Sequence, residues 1–146
     1  MSAFRKLTDT FYASPQISVA DVSQAAAMGI ALIINNRPDD EAPDQPAGTE
    51  IEAAARAAGL AYVAIPVTQA GFSMPQVDAL AEALAKAEGP ALGFCRSGTR
   101  STLLWALAEA KRGGNPDEIE ACAEGAGYSI APVRPTVDML AGQASD

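Results

Sequence analysis

The stretch Phe94-Cys95-Arg96-Ser97-Gly98-Thr99-Arg100-Ser101 decides the fold of this chain. A short apolar run that begins at Pro90 leads into it, and a helix-forming run follows from about Ser101. The pattern therefore predicts a strand, a short polar loop and the N-terminus of a helix. Because a helix N-terminus presents free backbone N–H groups and a partial positive charge, this loop is suited to hold an anion.

Cys95 enters that loop as the candidate nucleophile. A thiol beside a helix N-terminus is stabilised as the thiolate, which is its reactive form. Arg100 adds a full positive charge and a fork of donors that fits an oxyanion. We interpret the cysteine, the loop and the arginine as a nucleophile inside an anion-binding cradle.

The composition narrows the class of protein. The chain has 146 residues, of which 49% are hydrophobic and only 5% aromatic, so we expect one domain over residues 1–146 with a core of small side chains. The net charge is −8, and Lys and Arg form no run. Such an acidic chain is unsuited to nucleic acid, so we expect no nucleic-acid partner.

The class of protein is limited further by the two cysteines, the absence of histidine and the N-terminal sequence. There are two cysteines, Cys95 and Cys122, with no Cys-x-x-Cys pair, and there is no histidine at all. This excludes Ser-His-Asp and Cys-His mechanisms and most zinc sites, and we expect no metal or cofactor. The N-terminus lacks an apolar signal core, and no run approaches the ~20 apolar residues of a membrane span, so we expect a cytoplasmic protein without membrane contact.

Strand and helix signals alternate along the chain, which predicts an α/β fold with a mainly parallel sheet. The predicted strands cover residues 30–35, 60–67 and 90–94, and the predicted helices cover 19–28, 49–58, 74–87, 101–111 and 116–126. Ser18 and Thr49 are the predicted N-caps of the first two helices. A short helix over 136–141 is expected in the tail.

Three loops should share one end of this sheet. In parallel sheets ligands bind beyond the carboxyl ends of the strands. The loop that carries Cys95 lies at such an end, as do residues 35–40 after the first predicted strand and 68–73 after the second. We expect these loops to form a single mouth.

The chain resembles the beta-lactamase-hydrolase-like proteins, also called DUF442, which are similar to protein-tyrosine phosphatases. The resemblance extends from about residue 4 to 140. It rests on these stretches: Phe11-Tyr12-Ala13-Ser14-Pro15-Gln16, Met28-Gly29-Ile30, Ile34-Asn35-Asn36-Arg37-Pro38-Asp39, Tyr62-Val63-Ala64-Ile65-Pro66-Val67 and, most specifically, Cys95-Arg96-Ser97-Gly98-Thr99-Arg100-Ser101. It implies a dual-specificity-phosphatase-like fold, with a central sheet of four to five strands flanked by helices, and a cysteine enzyme that acts on phosphate esters or on sulfur. Some family members carry a sulfur dioxygenase domain, so a separate sulfur dioxygenase is a further expected partner.

Two departures from the phosphatase pattern shift the expected chemistry. In the tyrosine phosphatases that this chain resembles, five residues separate the cysteine from the arginine (Cys-x5-Arg). Here four residues separate Cys95 from Arg100, a spacing similar to that of rhodanese-type sulfurtransferases. Dual-specificity phosphatases also place an acidic residue after the strand that corresponds to residues 60–67, and this chain has no Asp or Glu between Leu60 and Gln76. General acid help is worth roughly 10²–10⁴-fold, so its absence disfavours ester cleavage.

The first hypothesis is therefore a sulfurtransferase. The Cys95 thiolate attacks a small anionic sulfur donor such as thiosulfate or glutathione persulfide, and a thiol acceptor takes the sulfur from the Cys95 persulfide. Arg100 and the loop formed by Ser97, Gly98 and Thr99 bind the anion, and Arg96 recruits the donor. Ser101 resembles the hydroxyl that follows the arginine in such loops, and it is expected to hydrogen-bond the thiolate.

Two alternatives remain open. One is a tyrosine- or dual-specificity-type phosphatase that forms a Cys95 phosphoenzyme. The other is a sensor that binds anions or persulfides without turnover. Outside the loop, Trp105 and Cys122 are expected to pack in the core. The acidic residues 39–41 and 44 are interpreted as a solvated loop, with a smaller chance that Asp39 or Asp40 assists proton transfer.

Overall fold

The computed structural model describes residues 3–68 and 70–144, and it has a single five-stranded sheet with helices on both faces. The strands are β1 (Arg5–Thr8), β2 (Phe11–Ser14), β3 (Leu32–Asn35), β4 (Ala61–Ala64) and β5 (Ala91–Phe94). The helices are α1 (Val19–Ala27), α2 (Gly48–Ala57), α3 (Met74–Lys86), α4 (Thr99–Lys111), α5 (Pro116–Gly125) and α6 (Arg134–Ala144), and a 3₁₀ turn (Ala131–Val133) precedes α6.

The sheet order is β1-β2-β5-β3-β4, and four of the five strands run parallel. Only β1 is antiparallel, since it forms a hairpin with β2. The expected α/β class, the mainly parallel sheet and the dual-specificity-phosphatase-like architecture are confirmed. The strand β5, which leads to Cys95, lies at the centre between β2 and β3, so both neighbours fix its position.

Each face of the sheet buries its own apolar cluster. Alternate side chains of a strand point to opposite faces, so Ile33 packs on one side while Leu32 and Ile34 pack on the other. Helices α1 and α2 cover the Ile33 side. Helix α4 lies on the second side against β2 and β5, with α3 and α6 beside it.

Helix α4 is the central helix of the fold. Nine of its thirteen residues are buried, because neighbours surround it on nearly every side. Trp105 on α4 is 2% exposed, and its ring stacks on that of Phe11 with the centroids 5.8 Å apart. The expectation that Trp105 belongs to the core is confirmed. A helix buried in this way holds its N-terminus firmly at the carboxyl end of the sheet.

Several predicted boundaries need correction. Ser18 caps α1 as predicted, and it forms reciprocal hydrogen bonds with Asp21, but Thr49 does not cap α2. That helix starts at Gly48, and its first amide donates to Asp39 Oδ1 (2.8 Å) from the preceding loop. Helix α4 begins at Thr99, two residues before the predicted start. The tail helix is longer than expected, and the β1–β2 hairpin was not predicted.

Candidate active site

The loop between β5 and α4 is anchored to the segment that follows β2. The Cys95 amide donates to Ser14 O (3.3 Å), and the Gln16 amide donates to Arg96 O (3.3 Å). Cys95 is fully buried at the base of this loop. The backbone of the candidate nucleophile is therefore fixed from the sheet side.

The Cys95 sulfur accepts a hydrogen bond from the Gly98 amide, with an N···Sγ distance of 3.0 Å. Gly98 is the N-cap of α4 and has a φ of 95°, in the left-handed region that favours glycine. A Cβ at this position would lie 2.1 Å from the Tyr128 hydroxyl. Glycine is thus required at position 98 both by its backbone conformation and by its neighbour.

Arg100 lies on the first turn of α4, with its guanidinium near the Cys95 sulfur. Its Nη1 donates to Glu41 Oε2 (2.7 Å) and to Val67 O (2.6 Å), and its Nη2 donates to Glu41 Oε1 (2.8 Å). The hydrogen bonds with Glu41 raise the pKa of Arg100, and the nearby Cys95 sulfur adds to this effect. The two predicted catalytic groups are therefore brought together, with Arg100 permanently charged beside Cys95.

Glu41 is an ionised carboxylate between two arginines. It accepts from Arg100 and from Arg37 Nε (3.0 Å), while burial acts in the opposite direction. The hydrogen bonds from Arg100 are the largest influence, and they lower the pKa of Glu41 to about 2. Glu41 is exposed, as expected for the acidic loop, but it also pairs with two arginines, which the sequence did not predict. Asp39, one of the two residues considered for proton transfer, instead caps α2.

The loops that follow β4 and β5 meet at the carboxyl end of the sheet, and Glu41 reaches them from just beyond the predicted loop 35–40. They form a cleft of about 510 Å³ beside Arg100, lined by Glu41, Val67, Thr68, Gly71, Phe72, Arg96, Arg100 and Leu103. The cleft has apolar walls on the Phe72 and Leu103 side and charged groups on the other. Such a cleft can bind an organic group that is attached to an anion.

The remaining predicted site residues occupy different environments. Arg96 is exposed at the rim of the cleft. Ser97 and Thr99 are exposed, and their hydroxyls bond each other (3.0 Å). Ser101 is fully buried, and its hydroxyl donates to Asn36 Oδ1 (2.7 Å). Its expected hydrogen bond to the Cys95 thiolate stays a prediction.

Sequence reasoning missed three residues that shape the site: Glu41, Asn36 and Tyr128. Asn36 links Ser101 to the end of β4, because its Nδ2 donates to Ile65 O (2.9 Å). The Tyr128 hydroxyl donates to Ser97 O (3.1 Å). The four-residue spacing of Arg37 and Glu41 is a sequence signal for the ion pair between them. It does not indicate that Glu41 also contacts Arg100.

Within residues 3–68 and 70–144, both cysteines are free thiols. Cys122 is half-buried on α5 and packs against the larger core cluster, as expected. In the same part of the chain, no three His, Cys, Asp or Glu side chains are grouped to hold a metal. None of the helices described there has the length and apolar character needed to span a bilayer.

The chain is similar to known proteins over most of its length. The family described as "Beta-lactamase hydrolase-like protein, phosphatase-like domain" matches residues 3–112. A curated beta-lactamase hydrolase-like protein from Xylella fastidiosa (strain Temecula1) is 42% identical over 106 residues, which cover 72% of this chain and 25% of that protein. The chain thus spans about a quarter of the length of this relative.

Two solved structures extend the comparison to the whole chain. A candidate phosphatase from Neisseria meningitidis Z2491 is 36% identical, with a TM-score of 0.82, and the match covers 96% of this chain and 99% of that one. A variant of TpbA from P. aeruginosa in complex with pTyr is 16% identical, with a TM-score of 0.67, and the match covers 99% of this chain and 91% of that one. The second likeness concerns the fold alone.

Proposed function

Because this chain belongs to the family of beta-lactamase hydrolase-like, phosphatase-like domains, we propose that it hydrolyses phosphate monoesters through a Cys95 phosphoenzyme. The observation that carries the proposal is the buried Cys95 sulfur, held by the Gly98 amide (3.0 Å) beside the Arg100 guanidinium. The likeness to the candidate phosphatase from Neisseria supports it. This proposal replaces sulfur transfer as the leading hypothesis, because the comparisons favour the phosphatase alternative.

The proposed reaction has two steps. The Cys95 thiolate attacks phosphorus, so an S–P bond forms, the P–O bond to the leaving group breaks, and the leaving group departs as an alkoxide or phenoxide that takes its proton from water. Water then attacks the phosphorus, the S–P bond breaks, and inorganic phosphate and the thiolate are released. Loop amides and Arg100 stabilise the charge on the non-bridging oxygens in both steps.

The acidic groups near the cleft predict the substrate preference. No Asp or Glu lies between Leu60 and Gln76, and Glu41, which does reach the cleft, is ionised. A leaving group must therefore depart without a strong protein acid, and general acid help is worth roughly 10²–10⁴-fold. We expect aryl phosphates to be hydrolysed much faster than alkyl phosphates, since phenoxides are the better leaving groups.

Sulfur transfer is the second candidate, and one observation favours it. Only four residues separate Cys95 from Arg100, so the cradle is one residue shorter than that of tyrosine phosphatases. In this reaction the thiolate attacks the outer sulfur of thiosulfate, an S–S bond forms and sulfite leaves. An acceptor thiol then removes the outer sulfur and the Cys95 thiolate returns. Sulfite is a stable anion, so this chemistry does not depend on a general acid.

Intact mass and turnover together separate the two candidates. The protein is incubated with 4-nitrophenyl phosphate and, separately, with thiosulfate, and product release is followed in parallel. A gain of one phosphoryl group with nitrophenol release supports the phosphatase. A gain of one sulfur atom that an added thiol removes, without nitrophenol release, supports sulfur transfer.

The control variants are Cys95→Ser and Cys122→Ser. Both candidates require that Cys95→Ser abolishes the adduct and the turnover, whereas Cys122→Ser retains them. Full activity in Cys95→Ser would overturn both. Binding of sulfate or thiosulfate without any product would instead favour the sensor that the sequence left open.

A further inference from the structure

A single peptide unit joins Cys95 to a tyrosine on the far side of the loop. The peptide between Ser97 and Gly98 donates its N–H to Cys95 Sγ (3.0 Å) and accepts on its carbonyl oxygen from the Tyr128 hydroxyl (3.1 Å). The two contacts lie at opposite ends of one rigid plane. The orientation of this peptide therefore decides whether the sulfur has its amide donor.

Tyr128 is itself held in place by β1. Arg5 lies over its ring at 5.4 Å from the centroid, and Arg5 Nη1 donates to Ala126 O (3.0 Å). The Tyr128 amide donates to Ala123 O (2.9 Å) at the end of α5. Burial raises the pKa of Tyr128 and outweighs the opposite effect of Arg5, so the hydroxyl remains a protonated donor.

Gly98 gives this peptide the freedom to turn. A glycine populates positive and negative φ about equally, so the residue that follows the Ser97 carbonyl offers little resistance to a rotation of the peptide. A rotated peptide would aim its carbonyl oxygen at the sulfur and would repel a thiolate. The Tyr128 hydroxyl opposes this rotation, because it bonds the carbonyl and also occupies the space beside the Gly98 Cα.

We propose that Tyr128 is a positioning residue for Cys95, which fixes the Ser97–Gly98 peptide with its N–H directed at the sulfur. A hydrogen bond to the carbonyl also polarises the amide and strengthens its bond to the thiolate. Tyr128 lies beyond residues 3–112, which the family match covers, so the C-terminal segment contributes to the site. The proposal rests on Cys95 as the nucleophile, as both candidate reactions require, but on neither reaction itself.

The test is a titration of the Cys95 thiolate by its ultraviolet absorbance. It is done in the Cys122→Ser background, and each protein is compared with the matching Cys95→Ser blank, so that the difference reports Cys95 alone. The charged and titratable groups around Cys95 are Arg100, with Glu41 and Arg37 behind it, Arg96 in the loop, and Tyr128. These groups are the same in wild type and in Tyr128→Phe apart from the one hydroxyl.

In Tyr128→Phe we expect the midpoint of thiolate formation to move to higher pH by roughly half a unit to one unit, the equivalent of one hydrogen bond. Tyr12→Phe is the matched control, since Tyr12 lies on β2 with its hydroxyl near Lys6, and its midpoint should equal that of wild type. Arg5→Met, which loosens Tyr128 and keeps its hydroxyl, should shift the midpoint in the same direction by less.

An unchanged midpoint in folded Tyr128→Phe, with urea unfolding to verify the fold, would overturn the proposal. Should Tyr128→Phe fail to fold, an unchanged midpoint in Arg5→Met would overturn it in the same way. The titration needs no substrate. A chain that turns over neither 4-nitrophenyl phosphate nor thiosulfate would overturn the proposed function and leave this comparison valid.

Discussion

The carboxylate of Glu41 binds the end of the Arg100 guanidinium in a bidentate pair, at 2.7 Å from Nη1 and 2.8 Å from Nη2. Val67 O takes the other Nη1 hydrogen. Of the five N–H donors of an arginine, this leaves Nε–H and one hydrogen of Nη2, which lie together on one edge. Glu41 therefore fixes the orientation of Arg100 and leaves one edge of the guanidinium open for the oxyanion of the proposed reaction.

Glu41→Gln should make the free energy of unfolding less dependent on pH in the acidic range. The folded-state pKa of Glu41 is about 2, below its ordinary value of 4.5, so its contribution is present above about pH 4.5 and is lost as the pH falls towards 2. The free energy of unfolding, measured with urea at about pH 6 and about pH 3, should therefore change less in the variant.

The control for this prediction is Asp44→Asn, which removes the same charge from an exposed position in the same loop. Its pH dependence should match that of wild type. If Glu41→Gln keeps the full acid dependence of wild type, the pairing with Arg100 and Arg37 does not stabilise the folded state.

Arg100→Lys should lower kcat/KM on the better of the two candidate substrates by on the order of 10²-fold, the effect of losing one oxyanion donor. Lysine keeps the charge but lacks the planar fork that bonds Glu41 and the anion at once. Arg96→Lys is the comparison, because Arg96 is exposed at the rim of the cleft and only its charge is required. Equal losses in the two variants would contradict the assignment of Arg100 to the cradle.

Gly98→Ala should destabilise the protein more than Gly59→Ala. Both glycines have positive φ, 95° and 83°, so both variants carry backbone strain of about 1–2 kcal/mol. A Cβ at Gly59 meets nothing within 4 Å, whereas a Cβ at Gly98 would lie 2.1 Å from the Tyr128 hydroxyl. Urea unfolding should show at least about 1 kcal/mol of extra loss for Gly98→Ala, from overpacking. Equal losses of stability in the two variants would mean that the Tyr128 side chain moves away from the new Cβ without a cost in free energy.

Ser101→Ala should cost about 1–3 kcal/mol of stability, because it removes the buried donor to Asn36 Oδ1. Ser97→Ala removes an exposed hydroxyl and should cost under about 0.5 kcal/mol. If kcat/KM falls in Ser101→Ala while stability does not, the hydroxyl acts on Cys95 rather than on Asn36. The two measurements on one variant therefore separate the structural role from the predicted catalytic one.

The sequence predicted the elements whose signals are local. The apolar run of β3, the Ser18 cap of α1 and the glycines that end α1 and α2 each act within a few residues, so periodicity and capping chemistry were sufficient. The β1–β2 hairpin was missed, because β1 is half exposed and lacks the apolar run that marks a buried strand such as β3. Strand β2 is stabilised by pairing with β5, which is about eighty residues away in the sequence, and β1 in turn pairs with β2.

The residues of the site also fall into two groups, those that the local sequence predicts and those that only the tertiary structure brings together. Cys95, Gly98 and Arg100 lie within six consecutive residues at the junction of β5 and α4, so their joint role could be inferred from spacing and from the charge of a helix N-terminus. Glu41 and Tyr128 lie 59 and 31 residues from the loop positions that they contact, and nothing in their own neighbourhoods sets them apart. Local chemistry thus indicated the proposed nucleophile and its cradle. The groups that balance the charge of the cradle and fix its orientation were decided by tertiary packing, which alone brings distant loops to one end of a parallel sheet.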